Sequence, residues 1–263
     1  MGEKNLLKQD SSIEEKELKP ISGWIALFIG ILFILSPVFG FINLVNTEND
    51  IFLIVTIILF IVAIFIFCGL KIVNPNESIV FVLFGKYYGT IKKPGFFFVN
   101  PFVSAINPTY ESQVTKLSKV GDKDSEQETT TSNTKKISLK AMTLNNQKQK
   151  VNDELGNPII IGTIVIWRVI NPTKAVFNVE NYKTFLSIQC DSTIRNVARL
   201  YPYDSEDTED YSEKSLRGSS QEIADKLKEE LQKRVEIAGI EVEEVRITHL
   251  SYAPEIAAAM LQR

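Results

Sequence analysis

The sequence predicts an α+β protein: an N-terminal two-helix transmembrane hairpin, then a mixed β-sheet domain with packed helices. Three observations predict it. Residues 21–45 and 51–70 carry no charge and are dominated by Ile, Leu, Val and Phe. After Leu70 the apolar runs become short and are punctuated by Gly, Pro and Asn, the pattern of strands and turns. Further on, two stretches repeat apolar residues at helical spacing.

A membrane helix needs roughly 20 mostly apolar residues to cross about 30 Å of hydrocarbon, and both uncharged segments have that length. In lipid such a segment is helical, because a helix satisfies its own backbone polar groups. Pro37 should kink the first helix. The linker 46–50 has no Lys or Arg, whereas Lys4, Lys8, Lys16 and Lys19 precede the hairpin and Lys71, Lys86, Lys92 and Lys93 follow it. The positive-inside rule then puts both chain ends in the cytoplasm at the cell membrane. Residues 1–20 read as a polar tail, too long and too acidic for a signal peptide and without an A-x-A site. Trp24, Lys71 and Phe96, Phe97 and Phe98 are the membrane-interface candidates. The three phenylalanines suit either a core or the headgroup layer.

The 263 residues carry a net charge of -3. With no basic stripe, nucleic acid is not an expected partner. Cys68 and Cys190 are too few and too far apart for a disulfide framework or a zinc site.

Within residues 71–252, Glu77 to Phe84 reads as a strand, with Gly85 and Gly89 as turn residues. The polar stretch 104–136 reads as a flexible insertion that buries too little apolar surface to order itself. Ile137, Leu139 and Ala141 alternate as a strand, and Gln149 to Asn152 forms another. Ile159 to Ile170 is apolar on both faces, which predicts a strand buried on both sides. Leu186, Cys190, Ile194 and Val197 then make one helix stripe, which places Cys190 in packing and not in chemistry. Ile223, Leu227, Leu231 and Val235 make a second stripe, capped by Ser219 or Ser220 and stopped by Gly239. Asp191–Arg195, Glu229–Lys233 and Glu230–Arg234 have i,i+4 spacing. The strand from Ile240 to Leu250 shifts phase near Glu243–Glu244, which predicts a bulge. Pro254 opens a helix over residues 253–263.

No catalytic centre is legible. His249 is the sole histidine, and one histidine with scattered serines is not a triad. Neither metal spacing nor a phosphate-binding glycine loop occurs, so no cofactor is expected.

Asn74-Pro75-Asn76-Glu77, Phe84-Gly85-Lys86-Tyr87-Tyr88-Gly89-Thr90 and Lys93-Pro94-Gly95-Phe96 through Phe102 occur in that order. Val151-Asn152-Asp153, Gly156-Asn157-Pro158-Ile159, Trp167-Arg168-Val169 and Tyr252 to Ala257 follow. Together these resemble the SPFH (band 7) domain of stomatins, prohibitins and flotillins, in its bacterial form. The resemblance covers residues 72–263 apart from the insertion. It implies a non-enzymatic membrane scaffold that self-associates into homo-oligomers and contacts membrane lipids, and in some cases a membrane protease or another membrane protein. It also implies a long C-terminal helix that drives assembly, with residues 257–263 at its start. A second reading is a regulatory or accessory subunit of a membrane protease or transporter.

Overall fold

The computed structural model describes residues 14–47, 50–109, 135–204 and 215–256. They fall into two compact units. One holds residues 15–107 with 135–138, and the other holds residues 139–256 with Pro108 and Thr109.

The first unit begins with strand β1 (Ile21–Ser22), which leads into α1 (Gly23–Thr47) and α2 (Asp50–Cys68). The two helices pack side by side, and small residues make this possible. Ala26 and Ala63 are buried. A Cβ on Gly30 would stand 2.7 Å from the ring of Phe67. Away from this seam the apolar side chains face outward, as with Phe28 (69% exposed) and Leu32 (67%). Side chains in these helices are described for residues 23–38, 42, 51 and 54–68. Over the described residues, no helix is long and apolar enough to cross a membrane.

The chain leaves α2 into β2 (Leu70–Val73), then β3 (Glu77–Leu83), β4 (Lys86–Ile91), β5 (Gly95–Phe98), β6 (Ser104–Ile106) and β7 (Ile137–Ser138). Two antiparallel sheets result. One has the order β1-β5-β2, and in the other β3 lies between β4 and β6 and also pairs with β7. Val73, Ile79, Phe81, Ile91, Val99 and Val103 form the core.

Strand β4 continues through Gly89, where the sequence pattern suggested a turn, with a register shift against β3 between Phe81 and Val82. The reason lies in the N-terminal segment. Leu18 N–H donates to Thr90 O and Thr90 N–H donates to Lys16 O, so residues 16–18 lie along β4. Gly89, at φ 152°, leaves the space that Leu18 fills, since a Cβ there would fall 2.5 Å from Leu18 Cγ. Lys92 Nζ reaches Glu15 Oε2 at 2.7 Å. The polar tail is thus structured from about Glu15.

Two further departures concern the insertion. Ser104–Ile106 is a strand paired with Val80–Val82, and Asn107 and Thr109 are buried. The rest of the expected loop, residues 110–134, lies outside the described residues.

In the second unit, β8 (Met142–Asn152), β9 (Pro158–Val169) and β10 (Ile240–Tyr252) form one antiparallel sheet in the order β10-β9-β8. The expected mixed sheet is not observed: among the described residues every pairing between two strands is antiparallel, and the parallel contact is an isolated bridge of Glu17 with Thr90. The two strands expected here have other bounds: β7 keeps only Ile137–Ser138 of the expected Ile137–Ala141, and β8 starts at Met142, well before Gln149. Strand β8 passes its polar stretch through a register shift between Asn146 and Gln149. Along β9 the odd-numbered residues are buried and Ile160, Ile164, Ile166 and Arg168 are not. This strand is fully buried on one face, not both.

The sheet is covered by α4 (Tyr182–Ala198), which packs on β8 and meets β9 at Thr163 and Trp167, and by α5 (Ser220–Val235), which packs on β10. Both predicted stripes are in place: Leu186, Cys190, Ile194, Val197 and Ile223, Leu227, Leu231, Val235 are all buried. A short helix α3 (Pro172–Phe177) precedes them, capped by Asn171 Oδ1, which accepts from Lys174 N–H at 2.9 Å. The Asn171-Pro172 pair is an N-cap and first-turn proline, a signal that the strand reading of Ile159–Ile170 masked.

Of the predicted ion pairs, Glu229–Lys233 forms at 2.8 Å. Asp191 instead accepts from Asn146 Nδ2 at 2.7 Å, and Arg234 donates to Ser192 Oγ at 3.0 Å. Ser219 precedes α5 without a side-chain cap bond. Gly239 ends the turn after α5 at φ 65°. The bulge predicted in β10 falls between Val242 and Glu244, and a second lies between Ile247 and His249. Residues 254–256 are helical, and the expected continuation lies outside the described residues.

Candidate functional site: the base of the helical hairpin

Strand β5, the run Gly95-Phe96-Phe97-Phe98, is the organiser of the site. Its two flanks are the strands that feed and drain the hairpin. Phe98 pairs with Ile21 on one side and Leu70 on the other, and Phe97 pairs with Ser22 and Lys71. Both ends of the helical pair are therefore held by main-chain ladders to one strand.

The three phenylalanines have separate surroundings. Phe96 stands against Trp24, with ring centroids 5.7 Å apart, and a Cβ on Gly23 would fall 2.7 Å from its ring. Phe97 packs on the core cluster. Phe98 meets the backbone at Gly69, where Val99 N–H donates to Gly69 O at 2.9 Å. Gly23 and Gly69, one at each hairpin foot, are glycines because these contacts leave no room for a side chain.

The structure thus brings Trp24, Lys71 and Phe96–Phe98 into one neighbourhood. Sequence reasoning missed two exposed aromatics of this unit, one of them beside α2. Phe102 lies 5.9 Å from Phe65 of α2, centroid to centroid, and is 61% exposed. Phe84 is 86% exposed and sits at φ 46°, a conformation that a bulky side chain rarely adopts. In the sequence Phe84 closes the strand reading of Glu77 to Phe84, and both phenylalanines fall in the motifs that carry the family resemblance.

Lys136 Nζ approaches Glu77 Oε2 at 3.1 Å. Burial works to raise the Glu77 carboxyl, but bonds from Lys136 and Asn74 outweigh it and hold the group below the usual carboxylate range.

In the second unit, two groups of described polar residues surround the thiol of Cys190 and the ring of His249. Cys190 is buried among Thr163, whose Oγ1 is 3.7 Å away, and Asn146, whose Nδ2 is 3.5 Å away. Burial pushes its thiol up to about 11, opposite to what a nucleophile needs. Ser251 Oγ lies 3.2 Å from His249 Nε2. Among the described residues no acid orients the imidazole from its other nitrogen, as a triad requires. Among those residues, also, no cluster of His, Cys, Asp or Glu could hold a metal ion.

These features define a protein with two small antiparallel sheets at the foot of an apolar helical pair and, as a separate unit, a helix-covered antiparallel sheet. Residues 71–263 match the SPFH domain / Band 7 family, and the chain belongs to that family. A stomatin homolog of Pyrococcus abyssi (strain GE5 / Orsay) is 27% identical over 146 residues, which is 56% of this chain and 44% of the relative. The chain thus spans less than half the length of that relative. Membership fits membrane association and a scaffold role at the level of the family.

Proposed function

We propose that this protein is a non-enzymatic membrane scaffold that organises membrane patches or membrane protein complexes by self-association. In this reading, helices α1 and α2 form a transmembrane hairpin with both chain ends on the cytoplasmic side. The single observation that carries it is the outward-facing apolar surface of the hairpin, with Trp24, Phe28, Leu32, Leu35, Ile54 and Ile58 all exposed. Helices that expose apolar side chains around their circumference belong in lipid or in a large core. The sequence supports the orientation, since lysines flank the hairpin and the linker has none. Trp24, Lys71, Phe96 and Phe98 then lie at the headgroup layer, where aromatic and basic side chains are favoured, with Phe97 on the core.

The test has two parts. Membranes from expressing cells are washed with alkaline carbonate, and the protein is expected to stay in the pellet until detergent is added. Cross-linking in native membranes, followed by mild solubilisation, is expected to give multiples of this chain. A stoichiometric foreign partner in place of self-association would favour an accessory subunit of a membrane protease or transporter. Release into the carbonate wash would overturn the membrane reading.

A further inference from the structure

A cleft of about 430 Å³ opens beside the hairpin's foot. Lys19, Tyr88 and Asn100 supply its polar lining, and Ile21, Phe98 and Pro101 contribute apolar walls. Its size is that of an ordinary ligand site. The lining includes one cation and no carboxylate. Lys19 has no ion-pair or hydrogen-bond partner among the described residues. By contrast, Lys92 and Lys136 of the same unit are engaged by Glu15 and Glu77. The Asn100 Oδ1 already accepts from Phe102 N–H at 3.0 Å, so the amide's remaining polar group is a donor. The tyrosine hydroxyl is a further donor.

The placement matters as much as the composition. Lys19 is the last charged residue before the uncharged run that becomes β1 and α1. Ile21 is both a wall of the cleft and the register partner of Phe98. The cleft therefore lies at the level where the chain passes from polar domain to apolar hairpin.

We propose that this cleft binds the phosphate-bearing headgroup of an anionic glycerophospholipid drawn from the bilayer around the hairpin. The inference rests on the membrane reading above. Lys19 neutralises the phosphate, and Tyr88 and Asn100 donate to its oxygens or to the glycerol. Ile21, Phe98 and Pro101 meet the first methylenes of the acyl chains. A zwitterionic headgroup brings its own cation, which Lys19 repels, so the site discriminates by net charge. Inorganic phosphate and glycerol phosphate share the anion but leave the apolar walls without a partner.

The full chain is reconstituted into vesicles of phosphatidylcholine mixed with phosphatidylglycerol, gently extracted, and the lipids retained per protein are counted by native mass spectrometry. Wild type is expected to retain phosphatidylglycerol in preference to phosphatidylcholine. Lys19→Gln should reduce that preference about fivefold, the factor that one lysine near an anionic surface carries. Tyr88→Phe should weaken it less. Lys93→Gln removes an exposed lysine of the same unit outside the cleft and should leave the preference intact. Equal losses from Lys19→Gln and Lys93→Gln would reduce the effect to diffuse surface charge and overturn the proposal. Full displacement of the retained lipid by soluble glycerol phosphate would overturn the lipid as the source of the anion. Failure of wild type to enter vesicles at all would sink the membrane reading itself, a result distinct from either.

Discussion

Trp24 stands at 77° to the ring of Phe96, with 5.7 Å between centroids. This edge-on contact joins the first turn of α1 to the central strand of the small sheet beneath it. It ties the orientation of the hairpin to the fold of the domain, in addition to the ladder at Ile21 and Ser22.

Loss of that contact should loosen the hairpin's foot. Phe96→Ala removes both the ring pair and packing on Gly23, at an expected cost of about 1–3 kcal/mol. Trp24→Phe should cost less than about 1 kcal/mol. Thermal unfolding of the three proteins in one detergent measures the order. Equal melting temperatures for Phe96→Ala and wild type would show that the pair carries no stability.

The segment along β4 depends on the gap at Gly89. Gly89→Val is expected to expel Leu18 and free the backbone that Thr90 holds at Lys16, with faster tryptic cleavage after Lys16. Gly85 is a suitable comparison, because it too has a positive φ but no atom within 4 Å of a built Cβ. Gly85→Val should strain the turn without accelerating cleavage after Lys16. Similar digestion of both variants would show that backbone strain, and not the Leu18 contact, governs the segment.

Asp153 is buried at 3% exposure. It accepts from Asn157 N–H at 2.7 Å and from Tyr203 N–H at 3.1 Å, binding the β8–β9 turn to the end of the segment after α4. Asp153→Ala strands both donors and should cost roughly 2–4 kcal/mol in urea unfolding. Asp153→Asn keeps one acceptor oxygen and should lose less.

Cys190 gives the second unit an alkaline weakness. Burial raises its thiol from 9.0 to about 11. The unfolded chain ionises first, so stability is complete below pH 9 and falls as pH rises towards 11, by on the order of 2 kcal/mol. Cys190→Ala should flatten that part of the stability–pH curve. At neutral pH, iodoacetamide should modify exposed Cys68 and spare Cys190 until the protein is unfolded. Rapid native labelling of Cys190 would contradict its buried placement.

The helix-packed half was the more legible one. The stripe at Ile223–Val235 was readable because a strand would put Asp225, Glu229 and Lys233 on the same face and a helix does not, and that at Leu186–Val197 because Val197 falls out of phase for a strand. The phase shift in β10 was readable because a period-2 strand cannot change faces without an extra residue. The candidate site was half legible. Trp24, Lys71 and Phe96–Phe98 stood out by type and by nearness to the apolar helices, but nothing in their order showed that β5 would lie between β1 and β2.

What the sequence determined by itself was local: where charge is missing, where apolar residues recur, where glycine or proline interrupts. Those properties settle helix and strand identity over long periodic runs, because they depend on neighbours within a few positions. Only the tertiary structure decided which face of β9 is covered, why Gly89 sits in a strand, and that Ser104–Ile106 joins β3. Each of those outcomes depends on a partner tens of residues away, and such a partner leaves no periodic trace in the segment that receives it.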